Sequence, residues 1–146
     1  MNNLFYDLYA HVLAYLKHKY PQLHAVAYDT PNDQLLHTPI YAKVRLPIPN
    51  HLNIYVEGPF WDSVVLPIDI ISHPALLEDA LQPVHYAQKI CQSLHGYAPS
   101  TRHCVSPLLL CAKDPWVSDC TDRHKNKITL NFETMLDFSA PTPTAF

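Results

Sequence analysis

Fourteen prolines against two glycines, Gly58 and Gly96, constrain this chain of 146 residues more than any other feature. Proline has no amide hydrogen to give to a helix or a β-ladder, so the regular elements must fit between prolines or place them where no donor is needed. The scarcity of glycine works in the opposite sense. Phosphate-cradling loops need glycine for close backbone approach, which excludes nucleotide motifs of the Walker and dinucleotide types.

Between the prolines the hydrophobic period is legible. Residues 3–19 repeat apolar side chains at three- and four-residue intervals: Leu4 or Phe5, Leu8, Val12 and Leu16. This predicts an amphipathic helix, with Lys17, His18 and Lys19 suited to its C-terminal dipole and Pro21 ending it. A short segment at 24–29 leads to a turn at Thr30, Pro31, Asn32 and Asp33. Residues 38–46 then alternate, Ile40, Ala42, Val44 and Leu46 against Tyr41, Lys43 and Arg45, as a half-buried strand does. Residues 52–57 and 64–71 read as further strands joined at Gly58-Pro59. Pro67 puts the second of them at a sheet edge or on a bulge.

A second helix is expected over 82–95, with Val84, Ala87, Ile90, Cys91 and Leu94 on its apolar face and Gly96 as its C-terminal cap. Residues 107–112, continuously apolar, are expected to form the first of two closing strands and residues 127–138 the second. Residues 127–138 alternate, with Ile128, Leu130, Phe132, Leu136 and Phe138 inward and Thr129, Asn131, Glu133 and Asp137 outward. Between them, 114–126 reads as a polar loop carrying Trp116. Residues 139–146 have no period and are expected to be a disordered tail. Strands in runs, broken by helices without regular βαβ alternation, imply one α+β domain over 1–138, a mainly antiparallel sheet with two amphipathic helices on one face.

Ten Lys and Arg against thirteen Asp and Glu give a formal net charge of −3 with no basic cluster, which argues against specific nucleic-acid binding. No apolar run spans a membrane and the N-terminus lacks a secretory pattern, so synthesis inside the cell is expected. Four cysteines without an export signal are expected to stay as thiols. Charged residues make up 16% of the chain, below the roughly 25% usual in globular domains. A surface poor in charge suits a surface that other proteins cover.

Cys91 with His95 and Cys120 with His124 are each spaced by four, and His103-Cys104 adds two further donors, so a tetrahedral metal site can be drawn. The paired short cysteine spacing of structural zinc sites is missing, however. A cysteine nucleophile is equally poorly placed. Cys91 on a helical apolar stripe and Cys111 at the end of an apolar run would have raised rather than lowered pKa values. Asp69 reads as an outward-facing strand carboxylate, and Glu78 and Asp79 as charges at a helix start. No catalytic constellation emerges, so no cofactor, no metal and no enzyme activity are expected. A small metal-binding or thiol-dependent enzyme using Cys91, His95, Cys104, Cys120 and His124 remains the alternative. The aromatics Phe60, Trp61 and Trp116, placed at a hairpin tip and in a loop, either fold back on their own core or anchor a partner; as Trp and Tyr concentrate binding energy, they are the candidate protein-interface residues.

Several patterns in order resemble the tail-terminator or minor tail proteins of long-tailed bacteriophages, Mu-like prophages in particular. They are Tyr20-Pro21-Gln22-Leu23 closing the first helix, Tyr28 to Asp33 before a strand, and His85 to Tyr97 across the second helix. Ser106-Pro107-Leu108-Leu109 and Thr129 to Thr134 follow. The middle, 47–74, departs most from the family. The resemblance implies a homo-oligomeric ring, usually a hexamer, that docks on the end of the tail tube, stops its growth and offers a surface to head–tail joining proteins. It would work in the bacterial cytoplasm during assembly and then in the virion tail. A closed ring needs a heterologous head-to-tail interface, and a stable one buries roughly 800 Å² on each partner.

Overall fold

A computed structural model describes residues 4–49, 61–99 and 106–137, with only the backbone described at Trp61 and Asp62. The order is α1 (Leu4–Lys19), β1 (His24–Val26), β2 (Ile40–Val44), β3 (Ile48–Pro49), β4 (Trp61–Ser72), α2 (Gln82–Leu94), β5 (Leu109–Leu110), β6 (Trp116–Asp119) and β7 (Asn126–Asp137). Short 3₁₀ turns lie at Asn32–Leu35 and Pro74–Leu76. The predicted strand at 52–57, the turn at Gly58-Pro59 and the tail from Ser139 lie outside the described residues.

The seven strands make one sheet in the order β1-β2-β4-β7-β5, with β3 on the β2 side of β4 and β6 beside β7. Its spine is the antiparallel pair β4 and β7, twelve residues each, in register from Trp61 opposite Asp137 to Ser72 opposite Asn126. β1 pairs parallel to β2, and every other pairing is antiparallel. The fold is thus α+β, as the periodicities imply.

Both helices pack on one face of this sheet. Leu8, Val12 and Leu16 of α1 and Ala87, Ile90 and Leu94 of α2 are buried with Ala42, Leu66, Ile68, Leu130 and Phe132 in one core. In β4 and β7 these are the even-numbered positions, which is why the alternation read from 127–138 is correct in phase. Each of the Val, Leu, Ile and Phe side chains among them contributes roughly 1.5–3 kcal/mol on burial. A smaller cluster of Val26, Leu35, Tyr41 and Ile71 covers one end of the other face.

Four expectations are corrected. β4, which carries Pro67, is central rather than at an edge. Its position is tolerated because Pro67 O accepts the Arg45 amide at 3.0 Å. The missing donor therefore faces residues 45–47, where the neighbouring ladder is already broken between β2 and β3. That break is a bulge. Val44 lies opposite Ile68 but Ile48 opposite Val65, so one residue too many is fitted against β4.

The expected polar loop 114–126 contains a strand, β6, with Trp116 opposite Leu130. The apolar run 107–112 pairs over only Leu109–Leu110. In α2 the buried first-turn residue is Pro83, whereas Val84 is 36% exposed.

α2 ends as expected. Gly96 has φ +86°, Tyr97 N–H returns to Leu94 O at 3.0 Å, and Gly96 N–H reaches Leu108 O at 2.6 Å. A Cβ at Gly96 would meet nothing within 4 Å, so the cost of replacing it is conformational alone. Gly96→Ala should destabilise the protein by about 1 kcal/mol in urea unfolding, and Gly96→Asn by less.

Candidate functional site

The sheet face opposite the helices carries the polar and reactive groups that the core does not use. At one end, cross-strand pairing sets Lys43, Asp69 and Thr129 in a row. Asp69 is 5% exposed, and a carboxylate so buried must be paired to stay charged. Arg45 Nη2 donates to its Oδ1 at 3.1 Å and the Thr129 hydroxyl to the same oxygen at 2.6 Å. Arg45 Nε lies 3.0 Å from Oδ2, within ion-pair range, but makes no aligned hydrogen bond. Asp69 thus sits on the outward phase of its strand, as the sequence predicts, yet it is buried rather than solvated.

A cleft of about 240 Å³ opens above Asp69, with Lys43, Lys125 and Lys127 balanced by Asp69, Asp119 and Asp122 along its walls. The Asp119 carboxyl is held below the usual range by the Thr121 amide and hydroxyl, helped by Lys127. Burial, aided by the charge of Asp69, pushes the Tyr41 phenol up. Three lysines and three aspartates line the cleft, and Asp69 among them is already paired with Arg45.

The other end of this face is apolar. Ile48, Val65, Glu133 and Leu109 stand opposite one another across β3, β4, β7 and β5. Ile48 is 52% and Leu109 40% exposed. Beside this row a hollow of about 560 Å³ is lined by Ile48, Val65, Cys111, Asn131 and Glu133. The bulge at 45–47 puts Ile48 there. With regular pairing through residues 45–47 the strand would keep the phase of Val44, set Ile48 opposite Val64 and turn it towards the helices. The sequence does hold a signal for this row, since 64–71 is apolar on both phases at Val65 and Ile71. A strand that is wet on one face would not be.

Of the predicted interface residues, Phe60 lies outside the described residues, and of Trp61 only the backbone is described, at the start of β4. Trp116 starts β6, 36% exposed, with its indole N–H donating to Ser118 Oγ at 3.3 Å. It shares the sheet face of Leu130, so it stands at the rim of the helix side, away from the row around Val65.

The Cys and His residues are dispersed. His95 Nδ1 accepts the Leu110 amide at 3.0 Å, which ties the end of α2 to β5, and Cys91 is half-buried on that helix. Cys120 and His124 lie in the loop between β6 and β7, while His103 and Cys104 are outside the described residues. Among the described residues no group of three or more His, Cys, Asp or Glu is placed to share an ion. Burial raises both the Cys91 and the Cys111 thiols, Cys111 to about 11 with help from Glu133, which disfavours the thiolate a nucleophile needs. No helix among the described residues is long and apolar enough to cross a membrane.

Neither a protein-family model nor a curated protein matches the chain. A solved structure that carries no functional description superposes on 93% of this chain and 94% of its own, with a TM-score of 0.53 and 10% identity. That is a likeness of fold alone.

Two outcomes follow from these environments. Asp69→Ala should cost roughly 2 kcal/mol in denaturant unfolding, because Thr129 and Arg45 lose a charged acceptor. Arg45→Ala should cost less, since its side chain is 42% exposed. The second concerns Cys111, whose raised pKa favours the protonated thiol in the fold. Its contribution to stability is present below about pH 9 and is lost as pH rises towards about 11. Iodoacetamide at about pH 8 should label exposed Cys120 and spare Cys111. The fall in unfolding midpoint between about pH 9 and 11 should be smaller in Cys111→Ala.

Proposed function

We propose that this protein is a structural assembly subunit, a tail-terminator-like factor that forms a ring, caps a tail tube and prepares it for joining to a head. The observation that carries the reading is the row on the helix-free face in which exposed Ile48, half-buried Val65 and exposed Leu109 flank Glu133, bordered by the hollow at Cys111 and Asn131. Apolar side chains aligned across neighbouring strands form a contiguous contact, whereas scattered ones need no explanation.

The mechanism is steric. The apolar row docks on the last ring of the tube, with Glu133 as a polar marker of register at its centre. Once the ring is seated, it leaves no tube-like edge for a further subunit. Such a factor would act in the bacterial cytoplasm during assembly and stay in the finished tail.

Negative-stain microscopy with purified tail tubes tests this reading: added protein should occupy one tube end as a ring, and tubes left bare at saturating protein would refute it. Leu109→Asp and Ile48→Asp should each weaken tube binding by about tenfold or more while leaving far-UV dichroism unchanged. Trp116→Ala should weaken self-assembly instead, with the fold likewise intact.

A further inference from the structure

The two lateral borders of the sheet are complementary, and we propose that copies of this chain join head to tail by antiparallel addition of β6 of one copy to β1 of the next. The proposal deepens the ring reading above and rests on it.

β6 and β1 are short outer strands of similar length, four and three residues. Neither contains proline or lysine, the usual protections of an unpaired edge. Along β1 runs a trough of about 420 Å³ lined by residues 23–27 with Lys17, Pro21 and Thr30, so its outer backbone borders open space. β6 is exposed at all four residues, Trp116 at 36% and Val117 at 43%. One border is thus a trough and the other a ridge.

The pairing directions fix how they meet. β1 runs with β2, β2 against β4, β4 against β7 and β7 against β6. β6 therefore runs opposite to β1. Two copies set side by side in the same orientation place these strands antiparallel, the slightly more stable pairing, and keep all helices on one side of a continuous sheet.

Charge selects this joint over a symmetric one. The ionisable side chains lining the trough are Lys17 and His24, without an acidic partner. β6 itself carries no basic residue; Asp119 at its end faces Lys127 and Asp114 follows Lys113, so this border brings no unmatched positive charge against Lys17 and His24. Pairing β1 with a second β1 would set Lys17 and His24 against their own kind, and would end in a dimer. The heterologous joint repeats, as a ring requires.

The test uses the full chain with the exposed Cys120 changed to serine. His24→Cys in one preparation and Val117→Cys in another are mixed and mildly oxidised. A disulfide-linked dimer in the mixture and in neither preparation alone supports the joint. Oligomers seen by light scattering without that cross-link, or cross-links within one preparation, overturn the joint while leaving the ring reading standing. Monomers at every concentration, with tail tubes present or not, overturn both. Val117→Lys provides a second arm: it should raise the concentration needed for assembly by about tenfold or more with dichroism unchanged, and native-like assembly would count against the joint.

Discussion

The unbroken pairing of β4 with β7 is the constraint on which the remaining structure depends. Twelve residues in register give this pair two faces of opposite character. The even positions, Leu66, Ile68, Leu130 and Phe132 among them, make the floor on which both helices settle. The odd positions carry Asp69, Thr129, Val65 and Glu133. Every shorter strand takes its phase from this pair. β2 and β3 read it from one flank, β5 and β6 from the other. A slip of one residue between β4 and β7 would exchange the two faces, exposing the core and burying an ion pair.

Much of this was legible because it is local. The three- and four-residue spacing in 3–19, the cap at Gly96 and the alternation in 127–138 are properties of short windows, and over the described residues each appears where the pattern puts it. What was not legible depends on neighbours. Pro67 reads as an edge or bulge residue because a proline in isolation lacks a donor. Only the break in the adjacent strand makes a central place tolerable. β6 hid in a polar stretch because an outer strand exposed at every residue buries nothing and so shows no period. Asp69 reads as solvated because its burial is supplied from 24 and 60 residues away, by Arg45 and Thr129.

The candidate surface divides in the same way. Trp116 is exposed as an aromatic in a supposed loop could be, yet it belongs to a strand and to the rim of the helix side. The apolar row around Val65 was missed because its members, Ile48, Val65 and Leu109, come from three segments that only the sheet brings together. Each alone is an ordinary surface aliphatic. The Cys and His spacings had the reverse fate. They look suggestive along the chain, and Cys91, His95, Cys120 and His124 are then divided between a helix end and the loop after β6.

The bulge at 45–47 gives the fold an independent adjuster. Because the core phase is set by β4 and β7, adding one residue in this segment with the bulge unchanged would invert β3 alone, swapping which of Ile48 and Pro49 faces outward. Related chains could therefore change the texture of the helix-free face by small insertions there, without disturbing the packing beneath. Divergence in recognition and preservation of the scaffold would then be separable at a single hinge in the sequence.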